Sequence, residues 1–153
     1  MRVSAVVPPA HDQAWIAGRI PHQGNMCLLN AVLRWDEQHI VCEATSHTDP
    51  THPLRDAGRL GAAIGVEYAA QAMAVHGALL AAAEAPPTQG YLTSVRSLKL
   101  HVLRLDDQAS ALRVQAERLS GDARLILYQF SVHSGERCLL EGRASVVLGS
   151  LSL

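Results

Sequence analysis

The sequence predicts an α+β domain in which one long central helix is wrapped by a curved antiparallel sheet of about six strands. Three observations predict it. Residues 61 to 83 are almost wholly apolar, and Glu67 and His76 are the only side chains there that ionise near neutral pH. After that run the apolar period drops from helical to two. Turn residues then punctuate the chain at Asp106-Asp107, Ser120-Gly121-Asp122 and Ser134-Gly135-Glu136, as connections between antiparallel strands require.

Taken in order, Asp12 to Ile20 reads as a short helix with Asp12 as its cap. Cys27 to Trp35 and His39 to Ser46 read as two strands, and His47 to Leu60 as a loop rich in Asp, Pro, Thr and Gly. The long helix runs from Gly61 and stops near Glu84, just before Pro86-Pro87. Four strands follow as an antiparallel meander. Their apolar faces are Leu98, Leu100 and Val102; Leu112, Val114 and Ala116; Ile126, Tyr128, Phe130 and Val132; and Cys138, Leu140, Ala144, Val146 and Leu148. A helix apolar on every side is a buried helix. A curved sheet hides only part of it, so a second copy or second layer must close the rest.

A chain of 153 residues is most simply one domain. A formal charge of −1 gives no electrostatic footprint for nucleic acid. Cys27, Cys42 and Cys138 are scattered and odd in number, which suits a reducing compartment, and the cytoplasm is the expected location. The opening Met1 to Pro9 is too short in its apolar stretch for a signal peptide. The 61–83 run is long enough to test as a membrane span, but it is mostly alanine and carries Glu67, Gln71 and His76, so it reads as a core helix.

Glu67 is the residue that calls for a reason. A carboxylate inside an apolar helix is costly unless it is hydrogen-bonded, paired or kept protonated. His52, on the preceding loop, is placed to form an acid/base pair with it at the mouth of a buried acyl pocket. Gln71 lies one turn after Glu67 on the same face and can hold its carboxyl. Strict alternation puts Arg96 on the side of Leu98, where it is either buried against a carboxylate such as Glu67 or turned outward by a bulge. His47 and His52, with Asp49 and Asp56 nearby, fit no compact zinc spacing, so no metal is expected.

Two motifs carry a family resemblance. Ile20-Pro21-His22-Gln23-Gly24-Asn25-Met26-Cys27-Leu28-Leu29-Asn30 resembles the Leu-Pro-His-x-x-x-(Phe/Met)-x-Leu-(Leu/Val)-Asp opening of the hot-dog-fold 3-hydroxyacyl-acyl carrier protein dehydratases. Gly65-Val66-Glu67-Tyr68-Ala69-Ala70-Gln71 resembles their Glu-Ala-Met-Ala-Gln helix, and is most similar to the Gly-(Ile/Val)-Glu-Tyr-x-Ala-Gln of the dehydratase-like proteins of aryl-polyene gene clusters. The resemblance implies a helix wrapped by a sheet, two protomers paired edge to edge, and active sites at the dimer interface where one protomer's histidine faces the other's acid. It makes Glu67 the acid and His52 the nearest equivalent of the catalytic histidine. The family loop reads Gly-His-Phe-Pro-Gly and this one Thr51-His52-Pro53-Leu54, displaced by about one position. Gly61-Ala62 stands where the family has Pro-Gly, and Asn30 replaces Asp. His22, Gly61, Gly65, Gln71 and Arg96 are the expected substrate-binding residues, with His22 fixing the entrance loop.

The implied activity is loss of water from a 3-hydroxyacyl thioester on the phosphopantetheine of an acyl carrier protein, in fatty-acid or polyene-type biosynthesis, with no metal or diffusible cofactor. A histidine takes the C2 proton, a carboxyl protonates the departing hydroxyl, and free N–H groups of the helix start around Gly61 to Gly65 steady the enolate-like oxygen. The partners implied are acyl carrier protein and a second hot-dog chain, identical or not. Two alternatives stay open: a hot-dog acyl thioesterase, and a non-catalytic subunit of an active dehydratase.

Overall fold

The computed structural model describes residues 11–20, 24–81, 90–122 and 124–148. His22, the end of the helix near Glu84 and the Met1–Pro9 stretch lie outside them. The order is α1 (Gln13–Ala17), β1 (Ala31–Trp35), β2 (His39–Ala44), α2 (Gly65–Leu80), β3 (Gly90–Leu100), β4 (Leu112–Gly121), β5 (Leu125–Ser134) and β6 (Arg137–Leu148). Asp12 caps α1 by accepting from the Trp15 N–H at 3.0 Å. All six strands form one sheet in the order β1-β2-β4-β5-β6-β3. Only β4, β5 and β6 are a meander, because β3 crosses to the far edge and pairs with β6.

Helix α2 lies across β2, β4 and β5. Its sheet-facing side, Tyr68, Ala69, Ala72, Met73, Val75 and His76, is buried against Ile40, Val114, Tyr128, Phe130 and Val132. The opposite stripe, Val66, Glu67, Ala70, Ala74, Gly77 and Ala78, is only half-buried. One sheet has one concave face, so it covers one side of a helix. The single chain thus covers only part of the helix, as a wrapping sheet implies.

The helix is also shorter at its start. Ala62–Ile64 is a 3-10 turn, because Gly61 bridges to Arg104, and the N–H groups of Ala62 and Leu105 bond to the carbonyls of Leu103 and Leu60. The early strands are shortened for a similar reason. Cys27, Leu28 and Leu29 are buried, but the Leu28 backbone is bonded to side chains of α2 and of the turn after β2 rather than to a strand. Thr45 leaves the ladder to bond the Asn30 carboxamide at 2.7 Å.

Two strand faces differ from simple alternation. A register shift at Val132/His133 leaves Leu139 and Leu140 both buried and sets Cys138 beside Glu141. On β3, Tyr91, Leu92, Leu98 and Leu100 are exposed rather than in the core, since this strand lies at the sheet edge with few helix contacts. Among the described residues no helix is long and apolar enough to cross a membrane.

Gly65 sits where the helix start meets β6, and a Cβ there would lie 2.4 Å from a methyl of buried Leu140. Gly65→Ala should therefore cost about 1–3 kcal/mol, the usual range for overpacking, read as a lower urea midpoint. The exposed apolar edge and the half-buried helix stripe predict a dimer, or co-purification with a second chain, in sedimentation at micromolar concentration. A well-folded monomer would contradict it.

Candidate active site

One histidine, a tyrosine, a serine, a glutamine and a glutamate decide what this region can do. Gln71 is fully buried, and its carboxamide is committed to the chain itself. The oxygen accepts from Leu28 N–H at 2.9 Å and the nitrogen donates to the Met26 carbonyl at 2.8 Å. The same nitrogen reaches Glu67 Oε1 at 3.4 Å. Gln71 thus steadies the acid as the sequence suggests, but its principal bonds clamp the 26–28 segment onto α2, and substrate has no free amide to meet there.

The loop that carries His52 is built by Asp49 and Arg55. Asp49 Oδ1 accepts from the Thr51 N–H at 2.8 Å and from its hydroxyl at 2.7 Å. Arg55 donates to the carbonyls of Asp49, Gly58 and His47, closing the loop on itself. Asp106 anchors its far end by accepting from Leu60 N–H and from Arg104, whose guanidinium holds the Asp106 carboxyl well below the usual carboxylate range.

His52 is 5% exposed and sits between two fixed groups. Its Nδ1 accepts from the Leu54 N–H at 3.1 Å, so the ring proton of the neutral form is on Nε2. That proton points at the Tyr68 hydroxyl, 3.1 Å away. Tyr68 in turn donates to Ser46 Oγ at 2.8 Å, and Ser46 donates to the Leu28 carbonyl at 2.9 Å. Every donor in this row has one acceptor and the direction is the same throughout. Burial, and then the Arg55 charge, hold the His52 ring below the ordinary histidine range. Burial pushes the Tyr68 hydroxyl up to about 12. His52, Ser46, Asp49, Pro53, Asn25 and Cys27 border a cleft of about 530 Å³ against α1.

The other expected residues are placed as follows. Glu67 lies on the half-buried stripe of α2, next to Tyr68 in sequence but on a different side of the helix. The turn before it offers no run of free donors: Ala62, Ile64 and Gly65 N–H groups already bond to the carbonyls of Leu103, Gly61 and the Ala62/Ala63 pair. Gly61 is exposed with open space around it, and Gly65 serves packing against Leu140. Arg96 is exposed and faces Arg143 across the ladder, because a bulge between Arg96 and Lys99 turns it outward; it is not a partner for Glu67.

Sequence reasoning missed Tyr68 and Ser46 as partners of the histidine, and His76. His76 is buried, donates from Nε2 to the Asp36 carbonyl at 2.8 Å and accepts from the Tyr128 hydroxyl at 2.7 Å. Its partners lie far off in sequence, so no local signal finds them. Among the described residues the one cluster with metal-ligating atoms close together is His101, Cys138 and Glu141, organised by a His101–Glu141 hydrogen bond at 2.9 Å.

A single apolar helix on a six-stranded sheet, with an acid on its open side, is shared by several enzyme families; sequence comparison decides among them. A protein-family model described as ApeP-like, ApeP dehydratase, matches residues 15–150. The chain belongs to the ApeP-like dehydratase family. Among solved structures it is similar to the dehydratase heterocomplex ApeI:P from Xenorhabdus doucetiae, at 23% identity and a TM-score of 0.76, over 90% of this chain and 92% of that one. It also shares its fold with thioesterases. One from Pseudomonas aeruginosa has 9% identity and a TM-score of 0.64, covering 96% and 100% of the two chains. One from Haemophilus influenzae has 10% identity and a TM-score of 0.59, covering 80% of each. No curated protein matches. The fold is thus the hot-dog fold and the family one of dehydratases, as the two motifs imply.

His47, His52 and His76 are all buried, and burial is the first cause holding each below the ordinary histidine range. Unfolding exposes rings that bind protons near pH 6.5, so the unfolded state gains protons first as pH falls. Stability should be full above that pH and fall below it, by up to about 1.4 kcal/mol per pH unit for each ring. Urea unfolding across the range checks it; a midpoint that does not move would show the rings are protonated in the fold.

Proposed function

We propose that this chain takes part in dehydrating 3-hydroxyacyl thioesters carried on the phosphopantetheine arm of an acyl carrier protein, as one subunit of a cytoplasmic hot-dog dimer. The observation that carries the reading is Glu67: a carboxylate on the open stripe of an otherwise apolar helix, held by Gln71, in a chain of the dehydratase family. Elimination of water needs a base for the C2 proton and an acid for the departing C3 hydroxyl. Positioned acid–base groups supply roughly 10²–10⁴-fold, so binding and orientation of the substrate supply the rest. A thioesterase could use the same fold, but the family match favours elimination over hydrolysis.

A second reading is favoured by the heterocomplex neighbour: that the working dimer joins this chain to a different hot-dog chain. The two readings are separated by assaying the purified chain with and without a second subunit. In either dimer, Glu67→Gln should lower turnover of a 3-hydroxyacyl pantetheine thioester by about 100-fold or more while leaving the urea midpoint nearly unchanged, since Gln keeps the shape and the contact to Gln71. Turnover within a few-fold of wild type would make Glu67 structural and the proposal wrong.

A further inference from the structure

We propose that His101, Cys138 and Glu141 form a binding site for a Zn²⁺ ion that clasps the end of β3 onto β6. None of the three belongs to the residues assigned to dehydration, so the site stands whether or not that reading does.

Strand geometry brings the three donors together. Residues three apart on a regular strand point to opposite faces. The register shift at Val132/His133 buries Leu139 and Leu140 together, so Cys138 and Glu141 turn to the same face. The chain leaving β3 stays paired with β6, because the His101 N–H donates to the Leu139 carbonyl at 2.8 Å. This lays the imidazole beside the Glu141 carboxylate. The donors come from different strands, so no local spacing in the sequence shows them.

The distances suit the ion. His101 Nε2 lies 2.9 Å from Glu141 Oε2, and Cys138 Sγ lies 3.8 Å from that same oxygen. All three donor atoms fall within 4.8 Å of one another. With metal–donor bonds of about 2.0–2.3 Å, a tetrahedral zinc sets its donors about 3.3–3.6 Å apart. Small side-chain rotations close the difference. An imidazole, a thiolate and a carboxylate are all zinc ligands, and the two anions cancel the charge of the ion. Lys99, opposite Glu141 across the ladder, is the cation it must displace. His133 stands across the ladder from Cys138, but its Nε2 is engaged with Ser131 Oγ at 2.9 Å. Water takes the fourth position.

Binding exchanges a proton for the metal. Without the ion, the hydrogen bond from His101 holds the Glu141 carboxyl below its ordinary range, while burial and then Glu141 push the Cys138 thiol up. The ion therefore meets a carboxylate, a thiol and an imidazole. The thiol, which donates towards the Leu140 carbonyl at 3.5 Å, releases its proton to solvent and gives a sulfur electron pair to the metal. The neutral imidazole loses the proton that Nε2 holds towards Glu141 and takes one at Nδ1, so it binds through Nε2. The ion thus replaces the proton between His101 and Glu141, and one proton is released in all.

The test uses the full chain, kept reduced, stripped of metal by a chelator and titrated with Co²⁺ as a coloured stand-in for zinc. The expected result is one Co²⁺ per chain at micromolar concentration, with a thiolate-to-cobalt charge-transfer band and the intense visible bands of a four-coordinate ion. Added Zn²⁺ should erase both. Cys27 and Cys42 are buried, so the band reports Cys138, and Cys138→Ser should lose it. His101→Ala and Glu141→Gln should each weaken Zn²⁺ binding by about 10–100-fold or more, since even residues behind a ligand are worth that much. Zn²⁺ should also raise the urea midpoint of the wild-type chain and leave that of Cys138→Ser nearly unmoved, which separates lost binding from lost folding. Failure to take up one ion per chain would overturn the proposal. So would a charge-transfer band that survives Cys138→Ser, or an affinity that survives the other two variants; the three side chains would then be a surface hydrogen-bond cluster only.

Discussion

The buried carboxamide of Gln71 is the interaction on which the region around the site depends. It satisfies an N–H and a carbonyl of a segment that no strand reaches, the backbone of Met26 to Leu28. A buried peptide left without partners costs about 1–3 kcal/mol for each group, so this segment cannot lie against α2 unless something of that shape meets it. Once Leu28 is fixed, its carbonyl accepts from Ser46, Ser46 accepts from Tyr68, and Tyr68 accepts from His52. A glutamine that reads as a substrate contact is therefore the keystone of the wall behind the site.

The separation of inward and outward groups on α2 follows from the same helix geometry. Tyr68, Ala72 and Val75 turn to the sheet, so the core decides their identity. Glu67 turns away from the sheet onto the half-buried stripe. This is why the acid is tolerated at the start of so apolar a helix, where the Gln71 carboxamide also reaches it. It also relieves Arg96 of the pairing role that alternation alone assigns to it.

The sequence made the architecture legible where period and punctuation agree. The β4–β6 faces alternate as Leu112-Val114-Ala116 and Ile126-Tyr128-Phe130-Val132 do in the text of the chain, and the turns fall at the expected dipeptides. What sequence could not show was partnership over distance. The crossing of β3 to the β6 edge, the shift at Val132/His133 and the bulge after Arg96 are all set by tertiary fit, and each moves side chains to a face that local alternation assigns elsewhere. At the site, the acid was visible as a lone charge in an apolar run. The state of the histidine was not, because it depends on a backbone N–H two residues on and on a tyrosine hydroxyl from another element.

The bulge in β3 has a cost and a use. Ser97 is held at a φ of 54°, a left-handed conformation that a residue with a side chain adopts reluctantly, and around it Arg96 faces Arg143 and Lys99 faces Glu141 across the ladder. Like charges directly across a ladder weaken it. Yet β3 is an outer strand with apolar side chains in the open, the kind of border along which unrelated chains stack into fibrils. A kinked, charged border resists flat, continuous stacking. The bend at one serine thus breaks the rim into two short stretches.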